Sequence, residues 1–282
     1  VRELLIDPLC VAALNTAADQ ASGQVFLRVL QDALFSGRGS ADLMLPRADL
    51  SALLPTPAGR WLQAQGADVR TFQRIGSIAR VGNRYSNSNS GGSSGWQLDG
   101  EDFDTVVLAC TAAEAARLVQ PVAPSWAANA AAITYEPIVT VYLRCAGARL
   151  LCPMTALVAG PEAPAQYAFD HGALGATPGL FAFVVSGARA WVDRGLQATG
   201  EAVLRQAQHA FVGGSRSVPS VLRVMAEKRA TFCCTPALQR PPMEIAPGLL
   251  AAGDYVAGPY PATLEGAVRS GEAAVRGLER WS

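Results

Sequence analysis

Near its carboxyl end the chain reads GLLAAGDYVAGPYPATLEGAVRSG, from Gly248 to Gly271, and here residue types and spacing could do chemistry. Gly253 has no Cβ, so backbone at the end of a short apolar run can come close to a ligand. Asp254 follows at the carboxyl end of that run, where open α/β sheets place what they bind. A carboxylate there can accept hydrogen bonds from ribose-like or ribityl hydroxyls. Pro261 suits a first helical turn, which needs no N–H from that position. The amides after it, with the helix dipole, favour an anion or a partial negative charge. The same spacing also fits a plain strand, turn and helix carrying a surface acid.

Other chemistries are poorly supplied. The two histidines, His171 and His209, lie in no ligand or nucleophile pattern, which argues against a zinc centre or a Ser-His-Asp triad. Cys10, Cys110, Cys145, Cys152, Cys233 and Cys234 form no C-x-x-C and sit in apolar contexts, as buried thiols of a reducing compartment do. Lys+Arg and Asp+Glu both total 23, and no basic stripe appears, so no nucleic-acid partner is expected. Half of the 282 residues are hydrophobic and 16% are charged. Even so, no apolar run reaches the ~18 residues of a membrane span, and the start has no signal-peptide pattern. A cytoplasmic location is therefore expected.

The elements that must position these residues follow from periodicity. The chain opens at Val1 with helical spacing up to Asp7-Pro8. DQASGQVFLRVLQDALF predicts an amphipathic helix whose Val25, Phe26, Val29, Leu30 and Leu34 face a core, with Gln24, Arg28 and Asp32 opposite. SADLMLPRADLSALLPTPAGRWLQAQG predicts a loop with short helical turns, then a helix through Trp61 that ends at Gly66. Its Leu and Met beside Pro suit either a core connection or a lipid-facing or substrate-facing loop. From Ala67 the period changes to two, predicting strand. The polar run Asn83–Gly95 reads as an exposed tip. Trp96–Leu98 predicts a strand, and Thr105–Cys110, apolar on both faces, a central parallel strand. A helix with Thr111 as N-cap and Glu114 three residues later follows. PIVTVYLRC, GLFAFVVSG and SVLRVMAEKRATF predict strands, GEAVLRQAQHAFVG a helix, and GLLAAGD a buried strand. A closing helix from Pro261 to Leu278 carries the apolar line Leu264, Val268, Val275 and Leu278.

GLLAAGDYVAGPYPATLEGAVRSGEAA resembles the closing motif of the FAD-dependent amine oxidase and phytoene desaturase superfamily. FDTVVLAC resembles its D-x-V-V-L-A strand, and GADVRTFQRIGSI the strand after its large insertion. The resemblance implies that Gly253 and Asp254 meet the ribityl–phosphate chain of FAD. It further implies that Ala262, Thr263 and Leu264 face the isoalloxazine, with Pro261 counted among the cofactor-binding residues at the helix start, and that the backbone of Val69 touches the adenine. Three further stretches, ALNTAADQASGQVFLRVLQDALF, DLMLPRADLSALLPTPAGRWL and EKRATFCCTPALQRP, resemble the hydroxysqualene dehydroxylase branch, also called squalene-associated FAD-dependent desaturases.

That branch implies reductive removal of the hydroxyl of hydroxysqualene to give squalene, for hopanoid or related triterpene synthesis, with NADPH or NADH as electron source. Rival expectations are a carotenoid or phytoene desaturase, a flavin amine oxidase, and a non-catalytic remnant serving as an interaction module. The expected fold class is mixed α/β: an incomplete Rossmann-like FAD/NAD(P)-binding domain formed by 58–120 and 245–282. A substrate domain of mixed sheet and helices, 1–57 and 121–244, is interleaved with it. Thr263 stands where amine oxidases often carry an aromatic cage residue, which favours an isoprenoid over an amine. A hydrocarbon substrate implies a greasy tunnel and peripheral contact at the inner face of the cell membrane. The family's G-x-G-x-x-G unit is not found; the nearest run, GRGSAD at Gly37, lacks the third glycine. The chain is thus expected to be a fragment whose own N-terminal partner segment, with the pyrophosphate site, precedes Val1. Proton donation to the leaving oxygen could fall to Arg47, Asp49, Glu227, Lys228 or Arg229, and none of these is singled out as the catalytic acid.

Overall fold

The computed structural model describes residues 2–81, 95–212 and 217–278. A π-helical turn at Arg2–Ile6 runs into α1 (Asp7–Leu14). Asp7-Pro8 does not break this start, because Pro8 falls in the first turn of α1, where its missing N–H is not needed. After α2 (Gly23–Leu34) come α3 (Leu50–Leu53) and α4 (Pro55–Ala64). The short strands β1 (Ile78–Arg80), β2 (Trp96–Leu98), β3 (Glu101–Phe103) and β4 (Val106–Leu108) precede α5 (Ala112–Val119) and α6 (Pro124–Ala131). Then follow β5 (Tyr135–Arg144), β6 (Met154–Ala156), β7 (Tyr167–Asp170), β8 (Leu180–Val185), α7 (Arg189–Arg194) and α8 (Leu196–Ala210). The last elements are β9 (Ser220–Phe232), β10 (Glu244–Ala246), β11 (Leu249–Ala251) and α9 (Leu264–Leu278). The expected polar tip at Asn83–Gly95 lies outside the described residues, except for Gly95.

Two compact units emerge. The first comprises Val1–Ala21, Leu30–Thr71 and Tyr135–Thr231; the second Ser22–Val29, Phe72–Thr134 and Phe232–Ser282. Relative to the boundaries read from sequence, residues 58–71 group with the first unit, and 22–29, 121–134 and 232–244 with the second.

The first unit is built on a sheet of order β6-β7-β8-β5-β9, with β6–β7, β7–β8 and β8–β5 antiparallel. From Glu136 onward strand β5 alternates in burial, so its two faces meet different surroundings. Val139, Val141, Leu143, Phe181, Phe183 and Val185 are buried, and Val203 and Ala207 of α8 belong to the same cluster. Burial of that apolar face is the main stabilising contribution here. At the end of α1, Asn15 adopts a left-handed conformation (φ 46°) and is buried. Its amide donates to Glu136 O (3.1 Å) and Thr231 Oγ1 (2.9 Å), and its oxygen accepts from Gly187 N (2.6 Å). All three partners are satisfied by one side chain, which ties α1 to β5 and β9.

In the second unit β1, β2 and β3 form an antiparallel meander. A separate sheet of order β10-β11-β4 pairs β11 antiparallel to β10 and parallel to β4. Trp96 is fully buried and donates from Nε1 to Pro247 O (3.1 Å), pinning the meander to the entry of β11.

Four expectations need correction. The strand predicted from Ala67 forms only at Ile78–Arg80. Nearby backbone groups are taken by side chains instead: Asp99 accepts from Gly76 N and Ser77 N, and Arg117 donates to Ile75 O and Gly76 O. Strand β4 is parallel but sits at an edge of its sheet among the described residues, so two-sided apolarity overstated its centrality. Helix α2 is amphipathic, yet none of its residues is fully buried. Cys152 is exposed, although Cys10, Cys145 and Cys234 are buried.

Candidate functional site

Parallel pairing of β4 and β11 sets Leu249 against Val106 and Ala251 against Leu108, so both strands end on the same side of the sheet. Each then turns into a helix. Cys110 and Thr111 lead into α5, and Gly253 begins the loop that leads to α9. This is the sheet end at which open α/β layers present binding groups.

The loop is organised from below. Gly253 N donates to Ser270 Oγ (2.7 Å), fastening the strand end to α9. Side chains at i, i+4, i+8 and i+11 share a helix face, and on α9 these are Gly266, Ser270, Ala274 and Gly277. That small-residue face, not the predicted apolar line, approaches β11: Ala274 is fully buried against Leu250 and Ala252. A Cβ added at Gly277 would stand 3.2 Å from Met243 Cε and 3.3 Å from Leu250 Cδ1. Leu264, Val268 and Val275 of the expected line are instead exposed. Leu278 alone among them packs, against the Leu250 cluster.

The helix begins at Leu264, not at Pro261 as predicted. Thr263 is its N-cap: Oγ1 accepts from Gly266 N (3.1 Å), and its carbonyl accepts from Ala267 N (3.1 Å). A hydroxyl able to take an orphan amide outcompetes Pro261, which is buried ahead of the helix. The positive end of α9 therefore lies at Thr263–Glu265, three residues beyond the predicted place.

Asp254 is half-buried. Burial pushes its carboxyl above the ordinary carboxylate range, opposed by the Tyr255 amide and the Arg240 cation. Arg240 itself donates to the carbonyls of Asp254 (2.9 Å), Tyr255 (3.4 Å), Gly258 (3.0 Å), Tyr260 and Val256. Its guanidinium lies 4.9 Å over the Phe232 ring. Sequence reading missed Arg240 and Ser270. Signals for both were present: a lone arginine in the Pro-rich LQRPPM run before the strand, and a hydroxyl among the small residues of the closing helix.

Of the predicted site residues, Gly253, Asp254, Pro261, Ala262, Thr263 and Leu264 come together in this loop and helix start. Val69 belongs to the first unit, half-buried in irregular chain after α4. The candidate proton donors have other partners or are exposed. Asp49 Oδ1 caps α3 by accepting from Ala52 N (2.9 Å), and Glu227 Oε1 accepts from Arg229 N (3.0 Å) on an exposed stretch of β9. At the same sheet end, burial raises the Cys110 thiol above its ordinary value.

The first unit offers an apolar surface of a different kind. Register places Met154, Phe169, Ala182 and Tyr142 in one cross-strand row, and Ala156, Tyr167, Val184 and Thr140 in the next, on one sheet face. This face is opposite the buried cluster. A cavity of about 500 Å³ opens at the β6–β7 side, lined by Pro8, Val11, Leu157, Val158 and Tyr167, with Asp7 and Gln166 as polar neighbours. Among the described residues no helix is long and apolar enough to cross a membrane, and no group of three or more His, Cys, Asp or Glu could hold a metal ion.

Residues 32–278 match the family model described as flavin containing amine oxidoreductase. The chain is 28% identical over 273 residues to a hydroxysqualene dehydroxylase of Rhodopseudomonas palustris, and 27% identical over 273 residues to that of Sinorhizobium fredii. Each alignment covers 96% of this chain and 60% of the relative, so the chain spans about three fifths of the length of these relatives. Among solved structures, an oxidoreductase from Methanosarcina mazei superposes with a TM-score of 0.64 at 17% identity, over 96% of this chain and 63% of the other. Cyclohexylamine oxidase from Brevibacterium oxydans gives 0.63 at 14% identity, over 98% and 63%. At these identities the likeness speaks for the fold, a mixed α/β architecture with a partial Rossmann-like layer.

Proposed function

Because this chain belongs to the flavin containing amine oxidoreductase family, we propose that Gly253–Leu264 forms the ribityl- and ring-facing half of an FAD site. The enzyme acts on a long isoprenoid, and by similarity to its curated relatives the reaction is dehydroxylation of hydroxysqualene to squalene. The observation that carries the proposal is the half-buried Asp254 at the shared carboxyl ends of β4 and β11, beside the capped start of α9.

These residues fit the group. The Asp254 carboxylate accepts polyol hydroxyls, and a donor from such a hydroxyl offsets the cost of its burial. With Gly266 N taken by the Thr263 cap, the Leu264 and Glu265 amides at the positive end of α9 favour developing negative charge at the ring edge. For the pyrophosphate, these 282 residues offer no G-x-G-x-x-G, so only the ribityl and ring half is assigned. Replacing C–OH by C–H with loss of water requires a hydride and a proton; FAD held here would supply the hydride once reduced, and a reduced nicotinamide is the proposed source of its electrons. The protein's own share is to orient, to exclude water and to hold the hydrocarbon.

The apolar rows around Tyr142 and Phe169, with the 500 Å³ cavity, suit a hydrocarbon chain. Thr263, engaged as a cap, is no aromatic cage for an amine. Such a substrate dissolves in lipid, and the exposed Leu43, Met44, Leu54 and Trp61 are of the kind that rest on a membrane surface. The test is FAD titration of the protein followed by product analysis in squalene-free cells supplied with hydroxysqualene or phytoene. Flavin binding that weakens in Asp254→Asn, with squalene from hydroxysqualene, is expected. Desaturated carotenoid from phytoene instead would overturn the substrate assignment, and absence of any flavin binding would overturn the site.

A further inference from the structure

We propose that Arg240 is the positioning residue of the Asp254–Tyr260 loop, its guanidinium gathering five loop carbonyls and so fixing where the Asp254 carboxylate stands. Its consequence for flavin binding rests on the function proposed above; its consequence for the loop does not.

Every buried carbonyl needs a donor, and this loop is short of them, since Pro259 and Pro261 contribute no N–H. Within and around the loop, Val256 N is spent on Gly253 O (3.2 Å) and Ala257 N on Pro241 O (2.9 Å). The carbonyls of Asp254, Tyr255, Val256, Gly258 and Tyr260 all turn to Arg240. A guanidinium has five N–H donors in a fixed planar fork, so one side chain can serve acceptors spread over seven residues. An ammonium, with three donors on a single atom, cannot span them.

The cation is held from its other side. Phe232, fully buried, lies against it at 4.9 Å. The arginine comes from the Pro-rich approach to β10, so it is anchored on chain outside the loop that it orders. In a trans peptide the C=O and the next N–H point in opposite directions. Drawing the 254–256 carbonyls inward therefore turns the following amides away from Arg240, and the Tyr255 amide serves the Asp254 carboxylate. With its fork occupied by neutral carbonyls, the positive charge of Arg240 also bears on Asp254 and favours its ionised form.

The experiment compares wild type, Arg240→Lys and Arg240→Gln by hydrogen exchange of the Val256 and Ala257 amides, with β4, β11 and β8 amides as references. FAD affinity is measured in parallel between pH 5 and pH 8. Both variants are expected to exchange the loop amides at least about tenfold faster, the loss that follows when hydrogen bonds to a charged donor go, with reference amides unchanged. Lys should keep the pH profile of FAD affinity and Gln should move its acid limb upward, because only Gln removes the charge. Wild-type exchange at Val256 and Ala257 in Arg240→Lys would overturn the proposal. So would an equal loss of protection in β4 and β11, which would make Arg240 a general support of the unit. If wild type binds no FAD, the proposed function fails while the exchange data still decide the role of Arg240.

Discussion

Replacing Gly253 by alanine asks why glycine is needed at the end of β11. From sequence the reason is close approach of a ligand. The structure supplies a nearer one. A Cβ at this position would stand 2.6 Å from Tyr255 Cε1 and 2.8 Å from Cδ1, and Gly253 has φ +157°. Tyr255 is 2% exposed, so its ring cannot swing away. Forcing a methyl group against a fixed ring is overpacking, which costs about 1–3 kcal/mol, and a conformation rarely adopted by L residues adds to it. A loss of about 2–3 kcal/mol is expected in flavin-free protein. With a urea slope of roughly 2 kcal/mol/M, the midpoint of the second unit falls by about 1 M. The assay is equilibrium urea unfolding followed by tryptophan fluorescence, since Trp96 and Trp126 both report from that unit. A double-mutant cycle with Tyr255→Leu should return at least about 1 kcal/mol of the Gly253→Ala cost, because the two changes share one contact. If Gly253→Ala unfolds at the wild-type midpoint without flavin, the steric argument is wrong and the glycine serves only the ligand.

Three further outcomes are expected. Asp254→Asn should stabilise the flavin-free protein at pH 7 while weakening FAD binding about 10- to 100-fold, the loss of hydrogen bonds to a charged acceptor. The sign follows from burial. A folded-state pKa raised above the unfolded value makes ionisation costly, so wild-type stability declines as pH rises from about 4 through the raised value. The stability difference between wild type and Asp254→Asn should therefore vanish on acidification below about pH 4, as thermal melts across pH would show. Thr263→Ala removes the cap of α9 and should cost about 1 kcal/mol by urea unfolding, with Thr263→Ser close to wild type. Asn15→Ala leaves the Gly187 amide and the Glu136 carbonyl without their side-chain partner and should cost about 2–4 kcal/mol in the first unit, with little effect on FAD affinity.

What the sequence determined by itself was local or carried by resemblance. Thr111 caps α5 because an N-cap depends on a side chain and an amide three residues away, a contact within reach of the motif itself. Periodicity placed β2, β5, β8, β9 and α8, because a segment buried on one face shows that face in its spacing. The Gly-Asp turn after β11 was likewise visible, and with it six of the proposed site residues.

Tertiary structure decided the rest, and competition for partners is the physical reason. A strand exists only if a neighbour takes its hydrogen bonds, so alternation from Ala67 did not suffice once Asp99 and Arg117 had claimed the backbone at Ile75–Ser77. A helix starts where its first amides find a cap, so Thr263 displaced Pro261. Side-chain size cannot say which face of a helix will pack. The apolar line of α9 stayed exposed, while its glycine, serine and alanine face closed on β11, because only small side chains let backbone come that near. Arg240 marks the limit most plainly. Its five acceptors lie fourteen to twenty residues further along the chain, and no spacing rule ties an arginine to carbonyls. Only the folded loop, short of donors, gives that side chain its task.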